Sequence, residues 1–324
     1  MNTIDIYKKT TAGTGFKSDL LRAFYDGVTK IKNENWKAKM IDDFELSTDN
    51  PGTHAFCFNF QREVQRPKPA LVLRKKIIEK YEPPKKIWYY DSNVLVSYEK
   101  EKHHATNSYV RIAYGNVYPD KTNYCNNDPK PDRWNTMKKK LGIELTDYNK
   151  SGDQIYICCN RGSGGYSAFG KNAAQWAIET TQELRLHTDR PITIRLHSSK
   201  GYATFDEDVK TLYAFKEKNK NIQVHSPGNN FPDLLEEVKK SYAVVVYTSS
   251  SGAPAVIEGK PLFVTHSSSY LNPMNAGHLS AIENPNLDLD REKFLWGLGE
   301  SHWTLQDIEQ GLYFNNFLKK VKNV

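Results

Sequence analysis

Between residues 154 and 265 short apolar runs alternate with longer amphipathic ones, and this restricts the fold more than any other feature of the chain. Residues 154–159, 192–196, 222–225, 243–247 and 262–265 are brief and rich in Ile, Val and aromatic side chains, so they read as buried strands. Residues 168–186, 206–218, 231–239 and 253–258 between them read as helices. Parallel neighbours need a crossover, and a helical crossover covers the sheet, so the alternation predicts a parallel sheet clad on both faces. Two further helices are expected near 290–298 and 304–321.

The first half opens on a similar unit. Residues 3–8 read as a strand, 10–15 as a glycine-bearing loop, and 18–31 as a helix with Leu20, Leu21, Phe24, Val28 and Ile31 at helical spacing. Strands are expected at 55–60, 86–90 and 94–96, and a helix over 71–81 stopped by Pro83 and Pro84. Residues 115–135, rich in Asn, Asp, Pro and Tyr, read as a long loop. The polar stretch 147–152 marks the expected boundary between a domain over 1–150 and one over 151–304. Two α/β domains facing each other create a cleft, where ligands bind at the C-terminal ends of strands.

The charge changes across that boundary. The chain of 324 residues carries 45 Lys and Arg against 38 Asp and Glu, a formal charge of +7. Residues 1–150 hold 27 basic against 19 acidic residues, and the rest hold 18 against 19. Basic positions such as Lys75, Lys76, Lys85, Lys86, Lys138 and Lys139 are interleaved with Trp36, Trp88, Tyr89, Tyr90 and Trp134. That pattern suits a polyanion, with cations on phosphates and rings on bases, and it also suits a plain solvated surface. No apolar run reaches the roughly 18 residues of a membrane span, and residues 1–6 do not read as a signal peptide. Cys57, Cys125, Cys158 and Cys159 fit no zinc or disulfide spacing, which makes a reducing cytoplasm the expected location.

Several short motifs sit where strands hand over to helices. Gly13 and Gly15, and Gly165 with Tyr166 after a second glycine-rich turn, present backbone N–H groups to an anion or form ordinary βα turns. Neither completes a dinucleotide fingerprint, because Ser18 and Ser167 occupy the third glycine position, and neither is a P-loop. Arg195 and His197 end a buried strand, where a guanidinium fork suits a diphosphate; Lys200 follows them. Ser249, Ser250, Ser251 and Gly252 follow the most apolar strand and form either an anion cradle or a capped turn. His225 ends another strand. Asp91 lies at the end of a first-domain strand, as a general base or as a turn cap with Ser92 and Asn93. Asp288 and Asp290 form a D-x-D that reads as a helix N-cap, and no metal site is expected.

The second half resembles a group of bacteriophage glycosyltransferase-like proteins. The resemblance is carried by Gly165-Tyr166-Ser167, Trp176, the run Thr188 to Ile192, Arg195-Leu196-His197, Ser250-Ser251-Gly252 and the run Glu258 to Val264. It continues through Ile282 to Pro285, Asp290-Arg291 and Ser301 to Thr304, and covers roughly residues 86–313. It implies a GT-B fold: two Rossmann-like domains facing a central cleft, with a C-terminal helix over 305–324 returning to the first domain. It further implies an acceptor in the first domain and a nucleotide sugar, UDP-linked, in the second. Gly13, Gly15, Gly165, Tyr166, Arg195, His197, Ser249, Ser250, Ser251, Gly252 and Glu258 become donor contacts, without a required metal. Many GT-B enzymes place a Glu five residues before the Gly of the G-x-P turn; here that position is Pro254, and Glu258 is the adjacent acid.

The reading is a hexosyl- or pentosyltransferase that moves a sugar onto a hydroxymethylated pyrimidine of double-stranded phage DNA in the host cytoplasm. Asp91 is its base, and Lys75, Lys76, Lys85, Lys86, Lys138 and Lys139 hold the DNA. The alternatives are transfer to surface polysaccharide, or a non-catalytic nucleotide- or DNA-binding protein.

Overall fold

The computed structural model describes residues 1–8, 16–42, 52–58, 69–81, 86–99, 108–114, 129–161, 172–200, 202, 204–228, 230–267 and 269–320. The N-terminal elements are β1 (Asn2–Tyr7), α1 (Phe16–Lys30), β2 (Trp36–Ile41), β3 (His54–Phe58), α2 (Pro69–Lys80), β4 (Ile87–Ser92), β5 (Tyr109–Tyr114) and α3 (Pro131–Leu141). The middle holds β6 (Gln154–Cys158), α4 (Ala173–Arg185), β7 (Ile192–Arg195), α5 (Phe205–Lys218), β8 (Ile222–His225), α6 (Leu234–Lys240) and β9 (Ser241–Val246). It ends with α7 (Gly252–Ile257) and β10 (Leu262–Val264). The chain closes with α8 (Arg291–Ser301), β11 (His302–Thr304), α9 (Leu305–Glu309) and α10 (Leu312–Lys320). Two compact units result: Met1–Leu141 with Leu295–Val324, and Gly142–Phe294.

In the second unit the strand order is β10-β9-β6-β7-β8, and every pairing is parallel. Every residue of β7 and β9 is buried, as expected of strands covered on both faces. The helices start on local signals: Asn172 caps α4 through the Gln175 N–H, and Asp233 caps α6 through Leu235 and Glu236. The strand order reverses between the first strand, β6, and β9. Such a reversal opens a crevice at the strands' C-terminal ends. Residues 146–149 belong to this unit, because Thr146 and Asn149 donate to the carbonyls of Ile257 and Gly259.

The first unit has the order β11-β5-β4-β3-β1-β2. Its β1, β2, β3 and β4 are parallel, whereas at one edge β5 pairs antiparallel with β4 and β11 pairs antiparallel with β5. Several expectations are corrected here. The strand expected over 94–96 is instead a turn at Val94 and Leu95 leading into a 3-10 helix at Val96–Tyr98. The loop expected over 115–135 gives way to α3 from Pro131, and of the rest of it residues 115–128 lie outside the described residues. The helix expected over 304–321 is two helices, parted at Gly311 with φ of 79°.

The most consequential correction concerns the aromatic rings. Trp36, Trp88, Tyr89, Tyr90 and Trp134 are all buried. Trp36 and Trp88 join Phe24, Phe56, Phe314 and Phe317 in one core, with Phe24 stacked on Phe56 at 4.0 Å and Trp88 edge-on to Phe317 at 4.9 Å. Large rings carry the most apolar area, and in a sheet between helices that area is sequestered. These rings therefore offer no stacking platform for bases.

Candidate functional site

The second unit gathers polar side chains at the C-terminal edge of its sheet. After β6 come Cys159, Asn160 and Arg161; after β7, His197; after β9, Thr248 and the serine turn. Asn160 bridges the strand-order reversal: its Nδ2 donates to Thr248 Oγ1 at 2.8 Å, and its Oδ1 accepts the Thr248 N–H at 3.2 Å. In the serine turn, Ser249 is buried and its hydroxyl lies 3.2 Å from that of Ser251, while Ser250 is exposed. Gly252 serves packing: a Cβ there would meet Leu271 Cδ1 at 2.6 Å.

Arg195 and His197 have different duties. Arg195 is buried, and its Nη1 donates to the Tyr156 hydroxyl at 3.1 Å and to the Pro232 carbonyl at 2.7 Å. Its guanidinium also lies over the Phe231 ring at 3.9 Å. It ties β6, β7 and the approach to α6 together. His197 is half-buried, and its Nδ1 accepts the Ser199 N–H at 3.0 Å. Burial, Arg161 and Arg195 push its pKa down to about 4. The ring is therefore neutral at physiological pH, with its proton on Nε2 available for donation.

The structure does not gather every expected contact. Glu258 ends α7, at the opposite edge of the sheet from the serine turn, because the helix runs from the end of β9 back to the start of β10. It is buried there, and its carbonyl accepts a bond from Asn149 Nδ2. Lys200 is exposed and His225 is half-buried. Gly13, Gly15, Gly165 and Tyr166 lie outside the described residues.

In the first unit Asp91 is on β4, with Oδ2 2.6 Å from Nη2 of Arg111 on β5. Lys86 precedes the same strand at its other end, about 16 Å away at ~3.3 Å per residue. Lys76 on α2 and Lys139 on α3 are exposed, and Lys138 is half-buried. The side chain of Lys75 and all of Lys85 lie outside the described residues. Among the described residues no cluster of His, Cys, Asp and Glu is arranged to hold a metal.

Asn160 and Arg161 were not singled out by sequence; their position immediately after a buried strand was the available signal. Tyr247, Trp176 and His266 were missed as a group. Tyr247 lies 4.6 Å from the His266 ring and 5.8 Å from that of Trp176, whose Nε1 donates to Thr265.

Two α/β units, each on an open and largely parallel sheet, define the GT-B fold class. No protein-family model matches the sequence, and no curated protein is significantly similar to it. Solved structures do match. The β-Kdo 2,7-transferase of Thermosulfurimonas dismutans KpsC aligns over 97% of this chain and 99% of its own, with a TM-score of 0.52 and 10% identity. The β-Kdo 2,4-transferase of the same KpsC aligns over 92% of this chain and 89% of its own, with a TM-score of 0.46 and 7% identity. Among the described residues no helix is long and apolar enough to cross a membrane.

Proposed function

We propose that the protein is a glycosyltransferase that takes a sugar from a nucleotide-sugar donor seated at the C-terminal sheet edge of the second unit. The observation that carries this reading is the strand-order reversal between β6 and β9, flanked by Asn160, Thr248, Ser249, Ser251 and the neutral donor His197. The likeness in fold to a β-Kdo transferase supports it. In the transfer, an acceptor oxygen bonds to the anomeric carbon as the bond to the diphosphate breaks. The acceptor proton passes to a base, for which Asp91 is the candidate, and the hydrogen-bond donors stabilise the departing diphosphate.

For the acceptor, the finer reading is a hydroxymethylated pyrimidine in duplex DNA. Its support is the exposed charge of Lys76, Lys86 and Lys139. A saccharide acceptor is the second reading, favoured by the burial of the rings that a base would stack on.

The test incubates the protein with a panel of sugar nucleotides and either hydroxymethylated DNA or oligosaccharides. Nucleotide release and the mass of the modified acceptor are measured. Turnover with DNA is expected; turnover with oligosaccharide alone selects the second reading, and no turnover with any pair overturns the enzyme. In the active pairing, Asp91→Asn is expected to abolish turnover while donor binding persists. Full turnover in that variant removes Asp91 from the base role.

A further inference from the structure

Tyr202 lies in the loop between β7 and α5 and is only 7% exposed. Its hydroxyl is shielded from solvent and has no hydrogen-bond partner among the described residues. An unpaired buried hydroxyl costs about 1–3 kcal/mol, so a fold has reason to bury phenylalanine there instead. The residue is held at ring and backbone: the ring meets that of Phe205 edge-on at 5.4 Å, the Tyr202 backbone N–H donates to the Lys200 carbonyl, and the Tyr202 carbonyl accepts from the Phe205 N–H.

Its surroundings select the chemistry of a partner. Burial and the Asp208 carboxylate push the phenol upward, so it keeps its proton and donates. Asp208 itself is engaged on both oxygens, by the Ala174 N–H at 3.1 Å and the Thr204 hydroxyl at 2.9 Å. The positive charge of Arg161 bears on both Tyr202 and His197. The His197 ring offers Nε2–H, because Nδ1 is taken by Ser199. Arg161 follows β6, and His197 and Tyr202 follow β7, its hydrogen-bonded neighbour, so a guanidinium, an imidazole N–H and a phenol O–H belong to adjacent loops at one edge of the sheet. A group of donors of this kind matches an oxyanion.

We propose that the Tyr202 hydroxyl donates a hydrogen bond to a phosphate oxygen of the bound nucleotide, beside His197 Nε2–H and the Arg161 guanidinium. This rests on the reading of the sheet edge as the nucleotide-sugar site and adds a specificity residue to it. A donor already stripped of water loses none on binding, which makes it worth more to a ligand than a solvated one.

The test compares wild type with Tyr202→Phe, which keeps the ring and removes only the oxygen. Binding of UDP, inorganic pyrophosphate and uridine is measured by calorimetry, and Tm is measured without ligand. Tyr202→Phe is expected to bind UDP and pyrophosphate at least tenfold more weakly and uridine unchanged, with Tm equal to or above wild type. Equal binding of UDP in the two proteins overturns the role of Tyr202 and leaves the nucleotide site standing. A fall in Tm shows that the hydroxyl has a partner inside the fold, and also overturns it. If wild type binds neither UDP nor pyrophosphate, both readings fall.

Discussion

At the residue scale, Arg195 shows how a side chain can be placed correctly along the chain and still be assigned an incomplete task. Its position at the end of a buried strand is legible from the apolar run before it. Its bond to Tyr156 joins residues 39 apart in sequence, and no local pattern announces that. Arg195→Ala leaves a buried tyrosine hydroxyl and the Pro232 carbonyl without their donor. A loss of about 3 kcal/mol in stability, read from urea unfolding, is expected in addition to weaker donor use. If only donor affinity falls, Arg195 acts on ligand alone. Gly259 makes the complementary case. Its φ is +64°, and a Cβ would lie 2.2 Å from the Asp147 carbonyl oxygen. Gly259→Ala is expected to cost more than about 2 kcal/mol, measured the same way, because backbone cannot step aside as a side chain does.

At the element scale, two strands that the sequence does not announce, β2 and β11, lie at the edges of the first unit's sheet. β2 is an edge strand whose Lys37 and Lys39 face solvent, so it lacks the continuous apolar run that reveals a central strand. β11 is three residues long and owes its existence to β5, its antiparallel partner some 190 positions earlier. α1, by contrast, was legible from its apolar stripe, although what the stripe meets was not. Gly27 on that helix touches α9: a Cβ there would stand 2.0 Å from the Ile308 carbonyl oxygen. Gly27→Val is therefore expected to push α9 off and lower Tm by several degrees, while leaving the second unit's ligand-induced stabilisation intact. α3 carries the test of the basic reading. Replacing Lys138 and Lys139 by Glu is expected to weaken duplex DNA binding and flatten its salt dependence. An unchanged salt slope removes α3 from the DNA surface.

At the scale of the whole molecule, three histidines, His54 and His302 buried and His197 half-buried, impose a pH dependence. Burial, with Lys86, pushes His54 down to about 4; burial with Arg161 and Arg195 does the same to His197. Burial, with Arg111 and Arg133, takes His302 to about 3. Unfolded histidine titrates near ~6.5. Below that pH the unfolded chain takes up protons that the folded chain refuses, so stability is lost as pH falls from about 6.5 toward 4. Each histidine contributes about 2 kcal/mol to the loss between pH 7 and 5. Urea midpoints at the two pH values measure it, and His54→Phe is expected to reduce the difference by about that amount.

The sequence by itself determined the kind and order of the elements that build the second unit. Its inner strands β6, β7 and β9 are almost wholly buried, so they read as largely apolar runs, and its helices begin on residues such as Asn172 and Asp233 that cap them locally. Those signals are complete within a few residues. Only the tertiary structure decided what each side chain faces. It placed Trp36 and Trp88 in a core with Phe317, sent Glu258 to the far edge from the serine turn, and buried the Tyr202 hydroxyl without a hydrogen-bond partner among the described residues. Burial and charge environment are set by neighbours distant in sequence, and a chain carries no local record of them until it has folded.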